Sequence, residues 1–161
     1  MNAHDDKRTD HPGVIAPPPL IYGVPLIAGL SIDAFGAGFA LGFPLWLRLA
    51  FGLPALVAGL TLIVLALLRF RRAGTNPEPW KPSTALVLDG VYRLTRNPMY
   101  LGMALVYAGI AVLSDSALTL VLLVPAVLTI HHGVILREEH YLSRTFGDDY
   151  RSFMRGSRRW L

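Results

Sequence analysis

The stretch LAFGLPALVAGLTLIVLALLRF, Leu49 to Phe70, decides how the chain is read. Its interior is uncharged up to Arg69, with Thr61 as its one polar side chain and Pro54 near its start. A helix needs about 20 such residues to cross the hydrocarbon core of a bilayer. Arg69, Arg71 and Arg72 end the run abruptly, as they would where a span meets water. The stretch therefore reads as a transmembrane helix.

Composition carries the same bias through the whole chain. The 161 residues are 53% hydrophobic and 16% charged, with a mean hydropathy of +0.45. Soluble domains are roughly 45–50% apolar and about 25% charged. This length suits one domain, and no internal repeat is visible. The absence of cysteine excludes disulfides, thiolate metal sites and a cysteine nucleophile. A net charge of +4 could suggest nucleic acid, but the arginines sit beside apolar spans, so no nucleic-acid partner is expected.

Other spans follow outward from the first. Residues 1–16 read as a polar tail: Asp5, Asp6 and Asp10 spoil a signal peptide's basic start, so the tail is expected to stay attached. Leu20 to Phe35 is apolar but interrupted by Gly23, Pro25, Ser31 and Asp33, slightly short for a straight span. Residues 17–73 thus form an N-terminal transmembrane hairpin, joined through a glycine-rich connector that includes Gly36, Gly38 and Gly42. Gly74 to Asn97 is a polar, turn-rich loop too long to be mere connection. Pro98 to Leu113 and Ala117 to Leu136 give two more spans, with Ser114-Asp115-Ser116 as the turn between them. Beyond Arg137, the apolar residues Tyr141, Leu142, Phe146, Tyr150, Phe153 and Met154 recur at helical spacing among charges. That pattern predicts an amphipathic helix lying on the membrane or folding back over the bundle. The expected fold is all-α: an integral membrane bundle of about four transmembrane helices with an amphipathic cytoplasmic C-terminal helix.

Orientation comes from the basic residues. Lys7, Arg8, the residues after Leu68, the central loop and the C-terminal tail place fourteen on one side, against Arg48 alone on the other. Lysine and arginine favour the cytoplasmic side, so both termini and the loop are expected there.

Chemistry-bearing residues gather on that side. Asn97 reads as an N-cap and Pro98 as the first helical residue of the third span. Its unpaired amides, with Arg93 or Arg96 beside them, could receive an anionic group such as a carboxylate. A well-started membrane helix with interfacial arginines would read the same way. Glu138 and Glu139 lie where a helix C-terminus disfavours negative charge; they are either solvated or bind a cationic group. Spacing of seven residues puts His131 with Glu138, and His132 with Glu139, on shared helical faces. No standard metal-ligand spacing appears, so no metal is expected. Phe146-Gly147-Asp148-Asp149-Tyr150 looks like a helix stop and restart, and Arg158-Arg159-Trp160 like an anchor to lipid headgroups.

Together, Gly90-Val91-Tyr92, Arg96-Asn97-Pro98-Met99-Tyr100-Leu101-Gly102, Glu138-Glu139-His140-Tyr141-Leu142 and Phe146-Gly147-Asp148-Asp149-Tyr150 resemble the isoprenylcysteine carboxyl methyltransferase and phospholipid methyltransferase membrane superfamily. The likeness covers residues 74–161, which would be the methyltransferase-like catalytic half. It implies an S-adenosylmethionine pocket, closed by the cytoplasmic tail and open sideways to lipid. Cofactor-binding roles then fall on Gly90, Tyr92, Arg96, Asn97, Pro98, Tyr100, Gly102, Glu138 and Glu139. Asn97 stands where members of the superfamily often have histidine, as bacterial-looking relatives do. The implied activity is methyl transfer to a lipophilic acceptor, a prenylcysteine-like carboxylate or a lipid headgroup, at the cytoplasmic face of a bacterial inner membrane. His132 is the expected catalytic residue, positioning or deprotonating the acceptor. Competing expectations are a nicotinamide-dependent membrane reductase of related fold and a non-catalytic membrane scaffold.

Overall fold

A computed structural model of the protein describes residues 11–161. The part of the polar tail before His11, with Lys7 and Arg8, lies outside the described residues. The described chain is helical: α1 (Pro18–Ala34), α2 (Leu45–Ala73), α3 (Pro98–Leu113), α4 (Ala117–Ile130), α5 (Leu136–Thr145) and α6 (Gly147–Gly156). A short 3₁₀ turn spans Gly90–Arg93, and a π-helical turn at His131–Ile135 joins α4 to α5 without a break.

α2 is 29 residues long, and α4 through α5 form a second continuous rod of 29. Both are apolar enough to cross a bilayer, whereas α1 and α3, at 17 and 16 residues, are shorter. α2 extends past the expected span at both ends, starting after Pro44 and stopping at Gly74, whose φ of 64° ends the helix in a left-handed cap. Phe51, Val57, Leu60 and Val64 along α2 remain exposed. Such a row of uncovered large side chains is unusual for a soluble monomer and natural for a lipid-facing helix.

α3 organises the bundle, packing on α1, α2 and α4. Glycines permit its close approach to α2. A Cβ placed on Gly59 would stand 2.6 Å from the Gly102 carbonyl oxygen, and one on Gly109 would stand 2.8 Å from that of Gly52. These pairs, one heptad apart on each helix, bring the two backbones together as small residues do in membrane helix pairs. On the other side Tyr22, Tyr107, Ala126 and Ile130 fill the space between α1, α3 and α4, and the Tyr22 hydroxyl donates to the Tyr100 carbonyl at 3.2 Å.

The two ends of the bundle differ. At one, the 35–44 connector meets the 114–116 turn: Leu41 N donates to Asp115 O at 3.0 Å, and Ala117 N to Phe39 O at 3.0 Å. Arg48 sits there, its Nε 3.0 Å from the Leu113 carbonyl. Ser116 caps α4 by accepting from Thr119 N at 3.0 Å. At the opposite end the 74–97 loop, the start of α3, α5 and α6 line a cleft.

Candidate active site

The cleft is assembled around the start of α3. It is open to solvent on one side, with a volume of about 90 Å³. Tyr92, Arg96, Asn97, Pro98, Tyr100, Glu138 and Glu139 all line it. Seven residues named from sequence, from three separate segments, therefore meet in one place.

Three of the expected residues stand elsewhere. Gly102 faces α2, where a Cβ would strike Ile63 Cγ1 at 2.7 Å and the Gly59 carbonyl at 2.8 Å. Gly90, with a φ of 62°, backs onto the Arg69 guanidinium, which pairs with Asp89 at 2.7 Å. His132 is exposed, its ring edge-on to His131 with centroids 4.8 Å apart.

The π-helical turn explains why the histidines depart from the expected register. A wider turn inserts one residue, rotating all that follows relative to what precedes by roughly 100°. Pairing at seven residues is thereby lost. His131, not His132, turns towards the side of Glu139: its Nδ1 accepts from Trp160 Nε1 at 3.3 Å, and the adjacent Arg159 grips Glu139. The N-terminal arm crosses the same turn, with Ile15 N donating to the Gly133 carbonyl at 3.3 Å and Arg137 Nη1 to Gly13 O at 2.7 Å.

Asn97 does precede α3, and Pro98 is its first residue, but Asn97 does not cap the helix with its side chain. Its Nδ2 instead donates to the Arg159 carbonyl at 2.9 Å, which Thr95 Oγ1 also reaches at 3.1 Å. Arg96 is drawn the same way. Its backbone N donates to Arg158 O at 2.8 Å, and its Nη1 to the carbonyls of Met154 and Ser157 at 2.7 Å each. The strap after α6 is thus stitched onto the α3 start. Arg159 and Trp160, expected to meet lipid, instead bond Glu139 and His131.

Charge in the cleft is arranged unevenly. Glu139 accepts from Arg96 Nη2 at 3.2 Å, from Arg159 Nε at 2.9 Å and from Arg159 Nη2 at 2.7 Å. These charge-assisted bonds hold the Arg159 guanidinium above its ordinary pKa. Glu138 accepts from the Tyr100 hydroxyl at 2.9 Å and has no cationic partner among the described residues. Arg96 Nε is buried without a hydrogen-bond partner, which in a lined cleft marks a donor available to a ligand. Burial, then the Glu138 charge, raises the Tyr92 hydroxyl's pKa; burial, then Glu139, raises that of Tyr150. With Phe70 and Phe153, both tyrosines give the cleft aromatic walls.

The amphipathic tail folds back over the bundle: α5 ends at Thr145, and α6 opens at Gly147 with Asp148 and Asp149 in its first turn. Tyr150 is buried, and Phe153 packs with Ala66, Val91 and Tyr92. Sequence reasoning named Tyr150 within a motif, gave Arg159 and Trp160 to lipid headgroups, and assigned Thr95 no role. Nothing in a terminal Arg-Arg-Trp run separates inward residues from lipid anchors. No three histidine, aspartate or glutamate residues cluster as metal ligands among the described residues.

Comparison with curated proteins finds no match. A family model described as phospholipid methyltransferase matches residues 47–149, well over half of the chain, running from the start of α2 through the cleft motifs into α6. The match takes in the helix pair α2–α3 and the cleft residues from Phe70 to Leu142, and the chain belongs to the phospholipid methyltransferase family.

Proposed function

We propose that the protein is a membrane-embedded, S-adenosylmethionine-dependent methyltransferase acting on a lipophilic acceptor at the cytoplasmic end of a four-span bundle. The observation that carries this reading is the cleft, where one unpaired carboxylate, one unpaired buried guanidinium nitrogen and several aromatic rings converge. S-adenosylmethionine suits that donor set: its carboxylate answers Arg96 Nε at the α3 start, its ammonium Glu138, and its sulfonium and adenine the rings of Tyr92, Tyr150 and Phe153.

When bound, the cofactor supplies a methyl group on a positively charged sulfur, open to displacement by an acceptor's lone pair. What the chain contributes is placement and dryness. The Tyr100 hydroxyl holds the Glu138 carboxylate at 2.9 Å, fixing where a cationic group can sit. Tyr92 and Tyr150, 7% and 4% exposed, exclude water beside it. Orienting two reactants in a desolvated site can supply much of the acceleration of a direct displacement. No covalent nucleophile is needed. The exposed apolar faces of the bundle offer a lipophilic acceptor a route from the bilayer, and the reading assigns His132, exposed at the π-turn, to the acceptor.

Acceptor identity divides between a prenylcysteine-like carboxylate and a lipid headgroup. The test is transfer of labelled methyl by purified protein to a native lipid extract, with products identified by mass spectrometry. Label in an extractable lipid is expected. Oxidation of a reduced nicotinamide cofactor with no methyl transfer would replace the reading with a reductase.

A further inference from the structure

Adjacent in sequence and both on the cleft, Glu138 and Glu139 differ in their surroundings. Both oxygens of Glu139 are engaged by two guanidiniums, and its side chain is 10% exposed. Two of its three hydrogen bonds come from Arg159, which bonds through Nε and Nη2 in the paired geometry only a guanidinium offers. Arg159 lies beyond the family-matched residues, on the strap pinned by Arg96, Thr95 and Asn97 and by Trp160 stacked on His131 with ring centroids 6.4 Å apart.

We propose that Arg159 is a positioning residue: by gripping Glu139 it withdraws that carboxylate from the ligand and leaves Glu138 as the acid that meets a ligand's ammonium group. Without Arg159, Glu139 would keep a single contact of 3.2 Å to Arg96, whose Nη1 is already committed to the Met154 and Ser157 carbonyls. An oxygen of Glu139 would then turn into the cleft beside Glu138. Two neighbouring carboxylates would compete for one cation, and the ligand would lose its defined seat. The assignment rests on the functional reading above for the identity of the ligand, but the inequality of the two glutamates does not.

Two readouts test it on the full-length protein in detergent. Dicyclohexylcarbodiimide adds to protonated carboxyl groups in apolar surroundings and spares ion-paired ones, and peptide mass spectrometry locates the adduct. Labelled without ligand at mildly acidic pH, the parent should be modified on Glu138, which has no cation among the described residues to hold its charge, with Glu139 largely spared. Arg159→Ala and Arg159→Gln should each raise modification of Glu139 at least about fivefold while eluting as folded protein; the glutamine variant carries the test if alanine unfolds the strap. S-adenosylmethionine affinity supplies the second readout. Arg159→Ala should weaken binding roughly tenfold in the parent, but by less than about twofold in a Glu139→Gln background, where no charge remains for Arg159 to hold. A merely structural strap would lose the same factor in both backgrounds. Modification of Glu139 in the parent, an unchanged pattern in both Arg159 variants, or equal losses in the two backgrounds would each overturn the proposal. A parent that shows the labelling pattern yet binds no S-adenosylmethionine would instead remove the functional reading and leave the pairing of Arg159 with Glu139 intact.

Discussion

Replacing Gly102 by alanine should act on the bundle before it acts on the cleft. The new methyl would sit 2.7 Å from Ile63 Cγ1, 2.8 Å from the Gly59 carbonyl oxygen and 3.3 Å from Ile63 N. A backbone carbonyl cannot rotate aside, so α2 and α3 must separate by roughly half an ångström. A gap of that size forfeits about a quarter of the dispersion energy of each contact it opens. Overpacking of this kind costs about 1–3 kcal/mol. At about 2–4 °C per kcal/mol for a chain of this size, the melting temperature should fall by roughly 2–12 °C. Gly59→Ala should fall similarly, because its Cβ would meet the Gly102 carbonyl at 2.6 Å and Val106 N at 2.8 Å. Gly23→Ala is the control: nothing lies within 4 Å of its added methyl, and alanine favours the helix. Thermal unfolding in detergent, followed by intrinsic fluorescence, measures all three. Parent-like melting for both Gly59→Ala and Gly102→Ala would refute the packing argument, and selective loss of cofactor affinity in Gly102→Ala would return that glycine to the binding site.

His132→Ala should lower methyl-transfer turnover while leaving S-adenosylmethionine affinity nearly unchanged, since His132 lies outside the cleft lining; single-turnover rates within about twofold of the parent, well under 1 kcal/mol in barrier, would leave it no catalytic role. Reporter fusions at Asp115 and at the C-terminus should report opposite sides of the membrane, because the 114–116 turn and the C-terminal strap lie at opposite ends of the bundle; a shared side would contradict four spans. Tyr92 and Tyr150 should resist ionisation. Their folded pKa values lie above the ordinary value near 10, so the stability they contribute is fully present below about pH 10 and lost as pH rises further. Spectrophotometric titration at 295 nm should show the tyrosinate signal removed by Tyr92→Phe appearing only with alkaline unfolding, and its appearance near pH 10 in folded protein would contradict the burial.

Helix boundaries were legible because lipid imposes a simple code. Pro98 to Leu113 is a helix over the same residues that sequence marks, and Ser114-Asp115-Ser116 is the turn, since polar residues and chain reversal coincide there. The cleft was legible through its motifs, whose residues carry recognisable chemistry. Register within the α4–α5 rod was not, because an α-helical count presumes 3.6 residues per turn and the π-turn at His131–Ile135 adds one. Gly102 illustrates a different limit. A glycine that lets a ligand approach and one that lets a helix approach look alike in sequence, and only the facing Gly59 decides between them. Arg159 lay hidden for a related reason: a terminal basic run suits lipid headgroups as well as it suits a buried carboxylate.

The proposed seat of S-adenosylmethionine is formed by Glu138 and Arg96. Calorimetric titration of the purified, monodisperse protein in detergent addresses it most directly. Saturable one-to-one binding is expected, competed by the demethylated product S-adenosylhomocysteine and weakened roughly ten- to a hundredfold by Glu138→Gln, the loss of one charge-assisted contact of about 1.5–3 kcal/mol. Folded parent protein that takes up no cofactor at millimolar concentration, or Glu138→Gln binding as tightly as the parent, would contradict it.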